Sequence, residues 1–491
     1  MASLHYNELS ADVGINRTML FSPLPRPERL QLRISERRLL MRIGDSLAVI
    51  AAVAIALFIW TIVAKYEISS EFLRENSVWF IILMPLWLTL ASANDFYDLR
   101  LASKRGQMMQ RLLLITAQQV VVYLIVFFLS PRDALPRLFI LYYGVASFVL
   151  ITVWRLVNPA LVGWATSARK VLIIGTDGGA AEMIHALKSE SGGEYWMVGI
   201  IGDEHEVGDL IDEVAVIGGP SDLMNFVARE RVTELILSST RDLSGAMFSA
   251  VMDAYEHGVA LIPMPVLYER LTGRVPVEHV GSNWTVVLPL DEGDGFQPYP
   301  ALKRILEVSA ALIGFVPFMV LLPFVALAIY IDCPGPIFYG QERVGLNGRP
   351  FRVYKFRTMI PNAEQATGAV FSDKADPRKT RVGKFLRKTR IDELPQLINI
   401  LRGDMSLIGP RPERPEHVAR LQAKIPFYRT RLTIRPGLTG WAQVMYGYGS
   451  TDDDALVKLQ YDLYYIRHRS LMLDITILVK TGGRVLRMSG V

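Results

Sequence analysis

Five long apolar stretches limit what this chain can fold into more than any other feature of its sequence. The first four occupy residues 47–64, 78–93, 112–129 and 138–157, each close to the ~20 residues that cross a bilayer core. The second is the shortest. Covering four segments that are apolar on every side would demand a large soluble shell, so a membrane unit is the expectation. Composition agrees, with 51% hydrophobic and 21% charged residues, where a soluble globular chain carries about 25% charged. A wholly soluble or disordered protein is not the expectation.

Lys and Arg flanks give the orientation, because they accumulate on the cytoplasmic side of short loops. Residues 1–43 carry Arg26, Arg29, Arg33, Arg37, Arg38 and Arg42 and read as a cytoplasmic tail with no signal peptide. The turn after the second span holds Arg100, Lys104, Arg105 and Arg111, and the fourth span exits into Arg155, Arg169 and Lys170. The opposite turns are poorer, with Lys65 and Arg74 in one and Arg132 and Arg137 in the other. Residues 44–160 are therefore expected to form four transmembrane helices with both ends in the cytoplasm.

From Lys170 the pattern turns globular. VLIIG reads as a buried strand running into a glycine turn and a helix over 180–188, and the strands MVGIIGD and ELILSS alternate with a helix over 221–229. Residues 165–295 thus read as an α/β Rossmann-like cytoplasmic domain. A dinucleotide would need a glycine-rich cradle at the helix start. Here the turn is GTDGGAA, and the Asp177 carboxylate would repel the pyrophosphate. A structural or regulatory domain is favoured, with a membrane-tethered nicotinamide oxidoreductase as the rival reading. Residues 261–300, rich in Pro and Gly, look like a connector.

The fifth stretch, 305–331, is long enough to span, yet Lys303 and Arg304 precede it and Arg343, Arg349, Arg352, Lys355 and Arg357 follow. Both flanks prefer the same face. Pro317 and Pro323 each remove a backbone hydrogen bond. A bent, re-entrant helix is expected, leaving everything after Asp332 in the cytoplasm.

Beyond it the chain is dense in cations, Gly and Pro. In RKTRIDELPQL, Pro395 suits the first turn of a helix, which puts Asp392 and Glu393 at or just before the start of a helix over 394–401. The positive end of a helix stabilises carboxylates and phosphates, and two adjacent carboxylates suit Mg²⁺, which shares oxygen ligands with substrate phosphates. Around them stand Arg387, Lys388, Arg390 and Arg411, the last within the rigid GPRP turn. A fixed guanidinium can hold a diphosphate in two-pronged fashion. Lipid headgroup binding and plain helix capping are the competing readings, and under them the domain would be a non-catalytic scaffold. The formal charge of +5 fits phospholipid headgroups or phosphorylated substrates, no nucleic-acid module is present, and the lone Cys333 excludes an internal disulfide and a Cys-based metal site.

PGPIFYGQERVG, YKFRTM, RIDELPQL, GDMSLIGPRP, RPGLTGWAQV and LQYDLYYI together resemble the bacterial sugar transferase family of polyprenyl-phosphate hexose-1-phosphate transferases, in its long form. The resemblance implies that residues 300–491 form a small, mostly α catalytic domain held on the cytoplasmic face of the bacterial inner membrane by the re-entrant helix. It also implies transfer of hexose 1-phosphate from a UDP-sugar to undecaprenyl phosphate, with UMP released, at the start of exopolysaccharide, capsule or O-antigen synthesis. Carried over by position, Asp392 is the nucleophile, Glu393 assists at Mg²⁺, and Arg387, Arg411, Lys355, Arg357 and Arg435 bind substrate. The sugar stays open between glucose, galactose and a 2-acetamido sugar, as does a homodimer. Three positions depart from the family pattern: Met319 and Val320 where Ser-Pro marks the bend, Glu307 where an Asp is usual, and Met445 to Gly449 after WAQV. Asp452, Asp453 and Asp454 imitate a metal-binding DxD, but after Ser450-Thr451 they read as a capped helix start. Tyr461, Tyr464 and Tyr465 suit packing or an interfacial belt.

Overall fold

The computed structural model describes residues 34–65, 74, 77–97, 105–129, 138–162, 169–191, 193–203, 206–238, 243–279, 298–361, 363, 376–447, 449 and 451–486. The arginines of residues 1–33 and of the turns at 98–104 and 130–137 lie outside them. Four helices make the apolar unit: α1 (Ile34–Ala64), α2 (Val78–Ala93), α3 (Arg105–Leu129) and α4 (Phe139–Val162). Helix α1 starts inside the stretch assigned to the tail, so residues 34–43 are helical. Helices α1, α3 and α4 are long and apolar enough to cross a membrane, while α2, at 16 residues with Pro85 inside, falls short.

One face of each helix packs inward. Val49, Ala52, Val53 and Ala56 meet Trp87, Leu112 and Tyr143, whereas Ile62, Ile81 and Val145 stay exposed. Exposed aliphatic area costs about 25 cal/mol per Å² in water, and nothing of that kind in hydrocarbon. The Gln119 amide donates to Leu83 O at 3.2 Å and accepts from the Tyr143 hydroxyl at 3.1 Å, which satisfies polar groups where water is absent. Asp45 of α1 and Arg155 of α4 form a buried ion pair at 2.6 Å, and the Arg155 guanidinium lies 4.2 Å from the Phe96 ring just beyond α2. The beginning of α1 and the ends of α2 and α4 therefore share one end of the bundle.

By its contacts the chain divides into two compact units, one holding residues 167–264 and the other holding residues 38–166 and 265–491. The first is a mixed α/β domain: β1 (Arg169–Ile174), α5 (Gly178–Glu190), β2 (Tyr195–Ile201), β3 (Leu210–Ile211), β4 (Val214–Gly218), α6 (Leu223–Glu230), β5 (Glu234–Leu237), α7 (Gly245–Glu256) and β6 (Ala260–Pro263). Its sheet runs in the order β3-β4-β2-β1-β5-β6, parallel except for β3 against β4. Val171, Leu172, Ile173 and Ile174 are buried in succession, as in a central parallel strand covered on both faces.

The second unit continues with α8 (Met264–Thr272), α9 (Tyr299–Asp332), β7 (Phe338–Val344), β8 (Pro350–Phe356), α10 (Arg381–Thr389), α11 (Leu397–Arg402), β9 (Ser406–Ile408), α12 (Pro415–Lys424), β10 (Gly437–Thr439), α13 (Trp441–Met445), α14 (Asp452–Arg467) and α15 (Leu471–Leu486). Part of the expected connector belongs to this core. Glu269 of α8 holds Arg467 at 2.7 Å, and Val275 and Val277 are buried with Leu421 and Leu459. Residues 280–297 of that connector lie outside the described residues.

Helix α9 runs without interruption through Pro317 and Pro323. One face buries Ala311, Phe318, Val325 and Ile329 against Val353, Phe356, Leu386 and Leu397, while Ile313, Phe324 and Ile331 on the other side are about 70% exposed. Both of its ends bind the same domain. Arg304 donates to Leu401 O at 3.3 Å, Glu307 accepts from Leu407 N at 3.1 Å, and at the far end Asp332 accepts from Val382 N at 2.8 Å. The last helix, α15, joins this domain to the bundle: Val479 packs on the bundle core, Lys480 pairs with Asp95, and the Thr481 hydroxyl meets that of Thr439 at 2.7 Å.

Candidate active site

Asp392 and Glu393 do not head an α-helix. They lie inside a 3₁₀ run, Ile391–Gln396, and α11 begins only at Leu397. Arg390 explains the geometry. It ends α10 in the left-handed region at φ 58°, so the chain reverses there and the tighter 3₁₀ run follows at once. Pro395 is the fifth residue of that run, beyond the first turn expected for it, so the run has one backbone donor fewer at that point. Because α11 has only six residues, the helix end contributes little to the field, and side-chain cations must supply it.

They come from three directions. Strand β8 brings Lys355, whose Nζ lies 2.9 Å from Glu393 Oε1. The GPRP turn after β9 brings Arg411, 2.8 Å from the same oxygen, and Arg390 reaches Oε2 at 3.5 Å. Glu393 is 7% exposed. Burial pushes its carboxyl up, but Lys355, Arg411 and Arg390 outweigh that and hold it well below the usual range. Burial lowers Lys355, with Glu393 opposing, and Glu393 raises Arg411.

Asp392 is in the opposite situation. It is 6% exposed, yet among the described residues no donor reaches its carboxylate within hydrogen-bond distance. Burial pushes it up to about 6, with Lys355 pulling down and Glu393 pushing up. At neutral pH it is mostly ionised, desolvated and uncommitted. That is the state a carboxylate nucleophile requires. Arg387, one helical turn earlier on α10, is aimed by its Nε bond to Thr358 Oγ1 at 3.0 Å. Gly383 permits this packing, because a Cβ there would lie 2.1 Å from Thr358 O.

The remaining expected residues divide. Arg357 is 6% exposed and grips the Pro334 and Cys333 carbonyls just past the end of α9, so it ties α9 to β8 and has no bond to the carboxylates among the described residues. Arg435 is exposed, and its backbone lies against the GPRP turn, where a Cβ on Gly409 would be 2.5 Å from Arg435 O. For a metal, the described residues hold no group of three His, Cys, Asp or Glu. Mg²⁺ takes one or two carboxylates and completes its shell with phosphate and water. Asp392 fits that role, and Glu393 could join only by releasing a cation.

The DxD segment is structural. Asp454 completes a capping box with Thr451 and accepts from the Tyr446 hydroxyl at 2.8 Å, and Asp452 pairs with Arg420 and Lys424 at 3.1 and 2.6 Å. Tyr465 is buried and Tyr464 stacks on Trp441, which is packing rather than chemistry. Two buried clusters escape the sequence reading. Glu307 accepts from Ser406, from Leu407 N and from Ile408 N, and pairs with Lys303 at 3.0 Å, which anchors β9 to α9. Arg431 pairs with Asp462 at 2.8 Å. Lys303 and Glu307 stand at the i,i+4 spacing of a helix, but the β9 groups that Glu307 holds and the two members of the Arg431–Asp462 pair lie far apart in the chain.

Comparison with known proteins bears on the family of this domain. The family model described as bacterial sugar transferase matches residues 298–488, and one described as a CoA-binding domain matches residues 92–265. A UDP-N-acetylgalactosamine-undecaprenyl-phosphate N-acetylgalactosaminephosphotransferase of Aeromonas hydrophila is 46% identical over 45% of this chain and 52% of its own length. A UDP-glucose:undecaprenyl-phosphate glucose-1-phosphate transferase of Xanthomonas campestris pv. campestris is 33% identical over 65% of this chain and 66% of its own. One of the same name from Caulobacter vibrioides is 45% identical over 36% and 67%. The match thus spans about half to two thirds of these relatives.

Proposed function

Since the chain belongs to the bacterial sugar transferase family, we propose that it transfers a sugar 1-phosphate from a UDP-hexose to undecaprenyl phosphate, with Asp392 as the covalent nucleophile. The observation that carries this reading is the contrast within the acidic pair: Glu393 is held by Lys355 and Arg411 at 2.9 and 2.8 Å, while Asp392 beside it is buried and, among the described residues, its carboxylate accepts no hydrogen bond.

In the first step an Asp392 oxygen attacks the β-phosphorus of the donor. The bond from that phosphorus to the bridging oxygen breaks, and UMP leaves with the electron pair. The sugar phosphate is then held on Asp392 as an acyl phosphate. In the second step a phosphate oxygen of undecaprenyl phosphate attacks the same phosphorus, the bond to Asp392 breaks, and the carboxylate is restored. Splitting the transfer lets two bulky anions use one phosphate pocket in turn. Lys355 and Arg411 offset the charge that grows on the phosphoryl oxygens, and Arg387, fixed by Thr358, orients the donor. Mg²⁺, when bound at Asp392, would neutralise part of the diphosphate charge.

Helix α9 would enter the cytoplasmic leaflet and return. If straight, its 34 residues would reach about 50 Å, yet both ends bond to one small domain. A crossing helix would part them by the bilayer. The pair Lys480–Asp95 also attaches this domain to the bundle end that holds the start of α1 and the end of α4, the end assigned to the cytoplasm by its arginines. Cys333, the chain's lone thiol, is partly accessible at the end of α9. A membrane-impermeant maleimide should label it in inverted vesicles and not in intact spheroplasts; the reverse pattern would defeat this topology.

The activity is tested by incubating full-length protein with Mg²⁺, undecaprenyl phosphate and UDP-glucose, UDP-galactose or UDP-N-acetylgalactosamine. UMP release with one donor is the expected result. UDP release would mean sugar transfer without phosphate, and a different enzyme.

A further inference from the structure

Arg411 can serve as a phosphate clamp only if its backbone is fixed, and the sequence around it removes the usual means. Pro410 and Pro412 on either side donate no backbone hydrogen bond, and Pro412 confines Arg411 to extended conformations. On one side the Pro410 carbonyl accepts from Gly437 N at 2.8 Å, and on the other the handle is Arg411's own carbonyl. It accepts from Arg431 at 3.0 Å. Arg431 comes from the 3₁₀ run Tyr428–Leu432 and donates also to the Tyr428 hydroxyl at 2.7 Å. Its charge is matched by Asp462 of α14 at 2.8 Å, with the two side chains 7% and 3% exposed. A neighbouring cation, Arg343, donates to Pro412 O at 3.2 Å.

Nothing about stability calls for this arrangement. A buried ion pair gives up the hydration of both charges, and apolar replacements of like volume often fold as well or better. Neither Arg431 nor Asp462 has a bond to Asp392 or Glu393 among the described residues. What the pair does reach is the carbonyl of Arg411 itself, between the Pro410 and Pro412 carbonyls held by Gly437 N and Arg343.

We infer that Arg431, held by Asp462 and Tyr428, is a positioning residue for phosphoryl transfer that aims the Arg411 guanidinium at the Asp392–Glu393 site. The inference rests on the proposed phosphate-handling role of Arg411. A Lys at 431 keeps the charge but offers no planar fork to serve a carbonyl, a hydroxyl and a carboxylate together.

The test is a double-mutant cycle on UMP release by the full chain in nanodiscs, with melting temperature followed for each variant. Misaiming by about 1 Å costs on the order of a hundredfold, so Arg431→Met and Arg431→Lys should each lower kcat/KM by about tenfold to a hundredfold, chiefly through kcat. On an Arg411→Ala background the same changes should add less than about threefold, because the residue acted upon is gone. If Arg431→Met alone fails to fold, Arg431→Met with Asp462→Leu removes both charges and should show the same dependence on Arg411. Equal losses on both backgrounds, or wild-type kcat/KM in the charge-free pair, would overturn the inference while leaving the transferase reading in place. A wild-type chain that releases no UMP from any of the UDP-sugars would remove both.

Discussion

Two aspartates in this molecule look alike from sequence and differ in the fold. Asp177 and Asp392 each follow a turn and precede a short helix, next to residues that could receive a phosphate. Asp177 is the N-cap of α5, and its Oδ1 accepts from Ala180 N at 3.2 Å. That oxygen completes the helix end and faces no cation in an ion pair among the described residues. Asp392 lies in a 3₁₀ run with no hydrogen-bond donor to its carboxylate among the described residues and with Lys355, Arg387 and Arg411 acting on it electrostatically. Position at a helix start therefore tells where an acid can stand. Whether its lone pairs are committed depends on what distant segments bring to it, and only in the second case do three of them bring cations.

The sharpest way to break the contrast is to make each aspartate an asparagine. Asp392→Asn should lower UMP release by on the order of 10⁴-fold or more, as removing a covalent nucleophile does, and mass spectrometry with UDP-sugar alone should lose the sugar-phosphate adduct. The variant should still fold, with a melting temperature no lower than the parent's, because no hydrogen bond to the Asp392 carboxylate from the described residues is broken and one buried charge beside Glu393 disappears. Activity within tenfold of the parent would end the nucleophile assignment. Next in size comes Arg411→Ala. Removing one donor aimed at developing charge costs about 10²- to 10³-fold in kcat, and here it also frees Glu393 from one of its partners. A loss confined to KM would mean that Arg411 only holds the donor.

How much of this was legible follows from the range of each interaction. The apolar segments and the strand-helix alternation after Lys170 are local patterns, and the structure forms helices and strands where they predict them. Asp454 and Thr451 were also legible as a capping box, since the whole motif spans four residues. The 3₁₀ geometry at Asp392 was not, because it depends on the left-handed turn at Arg390, a conformation that sequence gives no cause to place on an arginine. Arg357 and Arg435 were expected at the substrate; the first grips carbonyls at the end of α9 and the second is exposed beside the GPRP turn, and among the described residues neither bonds to Asp392 or Glu393. A motif shows that a cation is near a site and leaves its direction open. Arg431, Asp462 and Glu307 were missed for a related reason: their roles arise from pairings across 31 and about 100 residues, and no spacing rule reaches that far.

The smallest effects complete the comparison. In Asp454→Ala the capping box opens, which should cost about 1 kcal/mol and leave kcat unchanged, because Asp454 is committed to Thr451 and Tyr446 and not to substrate. Asp177→Ala should behave in the same way in the other domain. Loss of one N-cap acceptor costs about 1 kcal/mol, so the cooperative unfolding of residues 167–264, followed by hydrogen exchange of β1 and β5, should shift by that amount while UMP release stays at the parent level. The matched change at Asp392 has the opposite profile, with activity lost and stability kept. If Asp177→Ala instead abolished UMP release at unchanged stability, the turn before α5 would be binding something the reaction needs, and the division between a committed aspartate and a free one would fail at its simplest point.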